Sequence, residues 1–244
     1  AENRIPQVYT PCSIGGATAP ATHAGQLVVG LSEGLVGVVA SQLINPGTCV
    51  IVGGVQSILD MRHSIYSYGA PELSLMSAAL TEMAHYCGLP MYSTAGCTDT
   101  KQMDIQSGME AALSINAAMM SGADFVHDNN YTESGKTADF FQIVMDDEII
   151  GMARIVEGGI EVTEETMAVD IINNVGPGGH YLYEDHTMEW FRQHYNPTLM
   201  ERRSYEDWAV ESKTMKDRIV DKTRDLIENY EGQRAKVPAD TDKE

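Results

Sequence analysis

A strand, a polar loop and an amphipathic helix follow one another four times between residues 6 and 156, at intervals of roughly 35–45 residues. The strands are short and apolar: 6–10, 49–52 (Cys49-Val50-Ile51-Val52), 90–93 and 123–127. A run without alternation is what a parallel strand covered on both faces needs. Apolar residues at helical spacing (Leu27, Val28, Leu31, Leu35, Val38, Val39, Leu43) predict a long helix over 22–43, stopped by Asn45-Pro46-Gly47. Pro71 with Glu72 opens a second helix over 71–87, and Gly88-Leu89-Pro90 ends it. Further helices are expected over 104–120 and 138–156. Strands alternating with helices imply a parallel sheet with right-handed crossovers. The fold class is α/β, and four such units make either half of an eight-stranded barrel or a four-unit open sheet. No GxGxxG follows a strand, since Gly176-Pro177-Gly178-Gly179 stands elsewhere, so a dinucleotide-binding sheet is disfavoured.

Beyond residue 156 the rhythm changes. Thr163 with Glu164 and Glu165 caps a helix to Val175; short helical pieces follow over 186–194 and 204–211. A charged amphipathic helix covers 214–230, with Ile219, Leu226 and Ile227 inward. The expected division is four βα units over 1–156, a helical extension over 157–231 and a loose polar tail over 232–244.

Charge narrows the partners. Against 16 Lys and Arg stand 35 Asp and Glu, a net charge of −19 over 244 residues, which repels nucleic acid and anionic membrane surfaces. The longest apolar stretches are broken by Gly, Ser or Asn and are expected to fall short of a membrane-spanning run of about 20 residues. Cys12, Cys49, Cys87 and Cys97 form no CxxC pair, so no metal site is expected; reduced thiols point to a cytoplasmic setting. The start, Ala1-Glu2-Asn3-Arg4, has no signal-peptide character and suggests a chain that begins mid-protein. Fourteen methionines read as flexible core filler or, alternatively, as a binding surface.

Chemistry-bearing side chains gather just after the strand ends, where barrel folds place their active sites. Ser13, Gly15, Gly16 and Thr18 follow the first strand, and Gly53 and Gly54 the second. Cys97, Thr98, Asp99 and Lys101 follow the third; His127, Asn129, Asn130, Tyr131 and Glu133 follow the fourth. Each has two readings. Cys97 is a nucleophile or a small residue packed in a tight turn. Asp99 holds a cation or caps its turn. Lys101 forms a Schiff base or pairs with Asp104. His127 is a site group or a satisfied structural histidine. Glu133 caps a helix or walls a pocket. Gly176–Gly179 with His180 is an anion nest or a plain turn. The Asp146-Asp147-Glu148 run reads as a solvated helix face.

Eight stretches in order resemble the trimethylamine methyltransferase family, the corrinoid-dependent methyltransferases of methylated amines and betaines. They are GATAPATHAG (16–25), QLINPG (42–47), YGAPELSLMSAA (68–79), GLPMYSTAGCTDTKQMDIQSGME (88–110), SGADFVHDNNYTESG (121–135), VMDDEIIGM (144–152), GIEVTEETMAVDIINNVGPGGHYL (159–182) and NP-x-LM-x-RRSYEDW (196–208). The resemblance is to the C-terminal half of that family and implies the C-terminal half of a (β/α)8 TIM barrel with extra C-terminal helices. Trimethylamine-specific members carry pyrrolysine between an Ala-Gly and a Ser-Asp; here Cys97 stands between Ala95-Gly96 and Thr98-Asp99. The chain is therefore similar to the branch without pyrrolysine, whose members demethylate quaternary amines such as glycine betaine, proline betaine and carnitine.

The resemblance implies transfer of a methyl group from such an amine to a Co(I) corrinoid (cobalamin), carried on a partner protein, with no intrinsic metal. It implies no acid, base or nucleophile from this chain. Substrate-binding candidates are Cys97, Asp99, His127, Asn129, Tyr131 and Glu133, with Tyr92 and Arg62 less directly indicated; Gly15, Gly16, Gly53 and Gly54 are the corrinoid-facing candidates. Cys97 is expected to line the pocket as a small residue. Exposed sheet edges imply a homo-oligomer or pairing with another chain. The alternatives are a methyltransferase of another substrate, a non-catalytic half-barrel, or a lyase using Lys101.

Overall fold

The computed structural model of the chain describes residues 1–230. In chain order its strands and helices are β1 (Gln7–Tyr9), β2 (Ile14–Gly15), α1 (His23–Ile44), β3 (Val50–Gly53), β4 (Ser57–Asp60), β5 (Ile65–Tyr66), α2 (Pro71–Tyr86), β6 (Met91–Thr94), α3 (Ile105–Met120), β7 (Phe125–His127), β8 (Tyr131–Thr132), β9 (Thr137–Ala138) and α4 (Phe140–Glu157). There follow α5 (Glu164–Met167), α6 (Val169–Val175), α7 (Asp185–Trp190), α8 (Tyr205–Glu211) and α9 (Met215–Glu228). The expected tail at 232–244 lies outside the described residues.

The central sheet has four parallel strands in the order β1-β3-β6-β7. Each new strand joins beside the last, with no reversal of direction across the sheet. Register runs through Val8↔Ile51, Val52↔Met91 and Thr94↔His127. Among the described residues the sheet does not close: β1 and β7 are both edges. Val50, Val52, Met91 and Ser93 are buried on one face, whereas Val8 and Phe125, of the opposite parity, stay about half exposed. His127, Tyr92 and Thr94 share that second face. Two smaller units lie at the strand ends: β2-β4-β5, and the hairpin β8-β9.

Helix α1 departs from the sequence expectation in the face it buries. Its buried residues are Gln26, Gly30, Gly34, Gly37 and Ser41, a stripe of mostly small side chains. A Cβ on Gly34 would lie 2.8 Å from Val52 Cγ1, and one on Gly30 2.7 Å from the Gln56 side chain. The helix is seated close to the sheet through missing side chains. Leu27 and Leu31 pack against the Leu80–Ala84–Met91 cluster, but Val28, Val39 and Leu43, expected inward, are exposed. The length expectation also changes: α1 has 22 residues with an 18-residue window of mean hydropathy 1.8, enough in length and composition to cross a membrane. A core helix passes the same test, and the glycine face of α1 is committed to the sheet.

Capping follows the sequence elsewhere. Asp104 and Ser107 form a reciprocal capping box at the start of α3, and Asp139 accepts from Phe141 N at the start of α4. The helix expected over 163–175 is two helices, α5 and α6, broken at Ala168, whose φ is +49°. By contacts the chain forms two compact units, Ala1–Thr198 and Leu199 onward. Residues 157–198 therefore belong with the four βα units. In the second unit Arg203 bonds Glu201 at 2.9 Å and Glu211 at 3.2 Å, and Lys213 bonds Asp221 at 2.7 Å. Ile219 is buried there as expected. Leu226 and Ile227 are exposed instead of inward.

Candidate functional site

The turn after β6 and the loop after β7 are sewn together by their backbones. Thr98 N donates to Tyr131 O at 2.9 Å, Ser134 N to Thr98 O at 3.1 Å, and Glu133 N to Thr100 O at 2.6 Å. Gly96 permits the approach: at φ +75°, a Cβ there would collide with the Asn129 side chain. The loop is conformationally costly. Asp128 (φ +71°), Asn130 (+90°), Glu133 (+51°) and Ser134 (+55°) all sit in the left-handed region that L-residues avoid. Four such residues within seven positions persist only where the surroundings over-determine the backbone.

His127 is held at both ring nitrogens. Its Nδ1 meets Asp128 Oδ1 at 2.8 Å and its Nε2 meets Thr94 Oγ1 at 3.1 Å. Its ring stacks on Tyr92 with centroids 4.2 Å apart and planes 8° from parallel. A carboxylate on one nitrogen fixes the ring's orientation and favours a proton on Nδ1. Asn129 Oδ1 is buried without a hydrogen-bond partner. Tyr131 is partly exposed and Glu133 half-buried, with Thr137 Oγ1 3.4 Å from Glu133 Oε2.

Asp99 is already saturated. It accepts from Ser67 Oγ, from Tyr68 N at 2.7 Å and from Ser134 Oγ at 2.8 Å, tying three loops together. Glu110, on α3, supports the same turn by accepting from Thr98 Oγ1 and, at 3.0 Å, from Asp99 N. Lys101 does not pair with Asp104; its Nζ donates to Asp99 O at 2.7 Å, and Asp104 is taken up by the α3 cap. A cavity of about 540 Å³ opens beside Asp99, lined among others by Asp60, His63, Lys101 and Ser134. None of His127, Asp128, Thr94 and Tyr92 is among its lining residues.

Cys97 is fully buried, contrary to the pocket-lining expectation. It packs with Val55 and Leu73, with Tyr66 and Tyr68 against that cluster. Its Sγ donates to Tyr68 O at 3.7 Å. Burial above all, and then the Asp128 carboxylate, push its thiol pKa well up. An inert, protonated thiol is the result. Tyr66 and Tyr68 are rings 5.5 Å apart, edge to face, brought over the turn by the β4-β5 hairpin.

Of the four glycines, Gly15, Gly53 and Gly54 are enclosed. A Cβ on Gly15 would meet Gln26 Oε1 at 2.7 Å, one on Gly54 would meet Leu80 Cδ2 at 2.7 Å, and Gly53 abuts Thr10. Only Gly16 is exposed. Gly176–Gly179 forms a plain exposed turn. Among the described residues, no group of three or more His, Cys, Asp or Glu is arranged to hold a metal.

The acidic run on α4 is not a solvated face. Asp146 is fully buried, accepting from Asn130 N at 3.0 Å and from Gln142 Nε2 at 2.8 Å. Burial pushes its pKa up to about 7 against those two bonds. Glu148 is buried too and accepts from Thr198 N at 3.0 Å and Thr198 Oγ1 at 2.7 Å. Sequence reasoning missed Asp128, Glu110, Tyr66, Tyr68 and the inward carboxylates of α4. Only Asp128, adjacent to a strand-end histidine, carried a local signal.

The family model described as Trimethylamine methyltransferase (MTTB) matches residues 1–244. A glycine betaine methyltransferase of Desulfitobacterium hafniense (strain Y51) is 37% identical over 217 residues, covering 88% of this chain and 45% of the relative. A trimethylamine methyltransferase MttB of Desulfitobacterium hafniense (strain DSM 10664 / DCB-2) is 34% identical over 227 residues, 93% and 46% respectively. One of Methanosarcina barkeri (strain Fusaro / DSM 804) is 33% identical over 228 residues, 93% and 46%. The chain spans about half the length of these relatives.

Proposed function

The chain belongs to the trimethylamine methyltransferase family, and from that premise we propose that it forms part of a methyltransferase moving a methyl group from a quaternary amine to a Co(I) corrinoid on a carrier protein. The observation that carries the quaternary-amine reading is Cys97. It stands where the resemblance places pyrrolysine, and a buried, protonated thiol supplies no electrophile. The 37% identity to a glycine betaine methyltransferase supports the same direction.

The chemistry asks little acid–base work of the protein. The carbon–nitrogen bond breaks with its electron pair going to nitrogen, so the tertiary amine left by a quaternary ammonium group departs neutral and needs no proton. A Co(I) corrinoid docked on its carrier would supply the electron pair that the methyl carbon accepts. This chain's residues would bind and orient. Tyr131 and the Tyr92–His127 stack offer aromatic faces to an ammonium group, with Glu133 as its counter-charge. His127, held by Asp128 and Thr94, and the side-chain NH₂ of Asn129 would meet a substrate carboxylate. Asp99 and Cys97 move from substrate contact to support of that wall. Of the glycines assigned to the corrinoid, Gly16 alone keeps the assignment; the enclosed three do not fit it.

The four parallel strands in consecutive order fit one half of a (β/α)8 barrel, the rest being supplied by further chain or by another copy. A cytoplasmic homo-oligomer belongs to the same reading. The test is to incubate the intact protein with its Co(I) carrier and glycine betaine, proline betaine, carnitine or trimethylamine in turn. Corrinoid methylation is expected with at least one betaine or carnitine. Methylation by trimethylamine alone would overturn the substrate class.

A further inference from the structure

The loop from His127 to Glu133 carries most of the proposed substrate contacts, yet its backbone is in poor conformations at Asp128, Asn130 and Glu133. Something beneath it must hold it. The Asn130 amide, at φ +90°, is shared between two acceptors: Asp146 Oδ2 on α4 at 3.0 Å, the shorter bond, and Gly96 O at 3.4 Å. Asp146 Oδ1 takes Gln142 Nε2 at 2.8 Å, and Gln142 Oε1 is buried without a partner. The Asn130 carbonyl in turn accepts from Asp139 N, which closes the loop at 3.0 Å.

We propose that Asp146 is a positioning residue of the substrate site: it grips the loop through the Asn130 amide, and its protonation changes the strength of that grip. The proposal rests on the reading of 127–133 as the substrate wall. The amide of Gln142 suits both forms of the carboxyl. With Asp146 ionised, Gln142 donates to it, as in the structure. With Asp146 protonated, Gln142 turns over, and the unpartnered Oε1 accepts the acid O–H. Oδ2 then still accepts from Asn130 N, but as a neutral carbonyl making a weaker bond than a carboxylate makes.

The pH at which this happens is set by few groups. Burial is the chief cause of the raised Asp146 pKa, and no charged side chain contributes to it. The titratable groups facing it from the turn and the loop are Cys97, which stays protonated, and Asp128, whose carboxylate acts with that of Asp146 on the Cys97 thiol. Helix α3 buries Ser107, Ala111, Ser114, Ile115 and Ala118, none of which titrates. As pH falls through about 7 the grip passes from ionic to neutral.

The test uses the intact protein labelled with ¹⁵N-asparagine, wild type and Asp146→Asn. The variant reproduces the protonated form, its side-chain NH₂ donating to Gln142 Oε1 and its oxygen accepting from Asn130, so it is expected to fold. The Asn130 amide resonance in the wild type should move with a midpoint near pH 7 and should stay at its low-pH position in Asp146→Asn. An Asn130 resonance that does not titrate, or that titrates alike in both proteins, overturns the proposal. On methyl transfer, KM for the active amine should rise roughly threefold to tenfold as pH falls through the midpoint in the wild type, with kcat little changed; it should stay high and flat in the variant. Identical KM profiles overturn the positioning role. If no amine is a substrate, the function reading fails while the Asn130 titration still decides whether Asp146 holds the loop.

Discussion

Asp99 and Cys97 stand two residues apart in the same turn and do different work. Asp99 closes three loops by accepting from Ser67, Tyr68 and Ser134; Cys97 fills the space between Val55 and Leu73. Cys97 is fully buried, whereas Asp99 also borders the cavity. Cys97→Ala removes one buried sulfur and should cost about 1 kcal/mol, as small core truncations do, while methyl transfer stays within about threefold of the wild type. A urea midpoint and the initial rate of corrinoid methylation measure both; loss of transfer in a folded variant would return Cys97 to the site. The residues after the third and fourth strands were legible in the sequence as one cluster, because strand ends of a parallel sheet share one side. Their division of labour was not, since hydrogen-bond saturation depends on Ser67 and Tyr68 from a different hairpin. Asp146 was misplaced for a similar reason. An acidic run in a helix is ordinarily solvated, and burial of two of its members is made tolerable by donors that are mostly distant in sequence: the Asn130 amide, 16 positions away, with Gln142 Nε2 for Asp146, and Thr198 for Glu148.

The four strands and their crossover helices follow from hydrophobic period and from breakers at Pro46 and Gly88, so their boundaries were legible to within a residue or two. Helix α1 shows where period misleads. An apolar count assigns its inward face to Val28, Val39 and Leu43, but contact with the sheet is made by Gly30, Gly34 and Gly37. Close approach of backbone to Val52 outweighs side-chain burial there, and a pattern search that scores apolar residues cannot see glycine as a contact surface. Gly34→Ala tests this. In a solvent-facing helix position the change would stabilise by about 1 kcal/mol through helix propensity. Here the new methyl would stand 2.8 Å from Val52 Cγ1, itself fully buried. The overlap should reverse the sign and destabilise by about 1–3 kcal/mol. Thermal or denaturant unfolding of the intact protein reads the outcome, and a stabilised Gly34→Ala would mean that α1 does not seat on β3 through its glycines.

At the scale of the whole molecule, four parallel strands in consecutive order leave β1 and β7 as unpaired edges. An edge presents a row of free backbone donors and acceptors and invites another strand. These edges also carry exposed apolar side chains: Ile5 and Val8 at β1, Phe125 on β7. On the second sheet face Val8 and Phe125 are about half exposed and Tyr92 and His127 are partly exposed, whereas Val52 and Met91 on the other face are buried. That the strands run parallel was legible from the sequence; their order was not read there, and the lack of closure was foreseeable only from the count of four units. A net charge of −19 opposes association, but its repulsion is screened beyond about 8 Å at physiological salt, whereas edge pairing acts at contact. The 244-residue chain purified alone should therefore associate, more strongly as salt rises from about 0.05 to 0.5 M. Sedimentation velocity across a concentration series would show it. Lysine at Val8 and at Phe125 together, placing charge on both edges, should shift the population toward monomer without lowering the unfolding midpoint by more than about 1 kcal/mol. A monodisperse monomer of the unaltered chain at high salt would mean that the two edges are protected by something other than pairing.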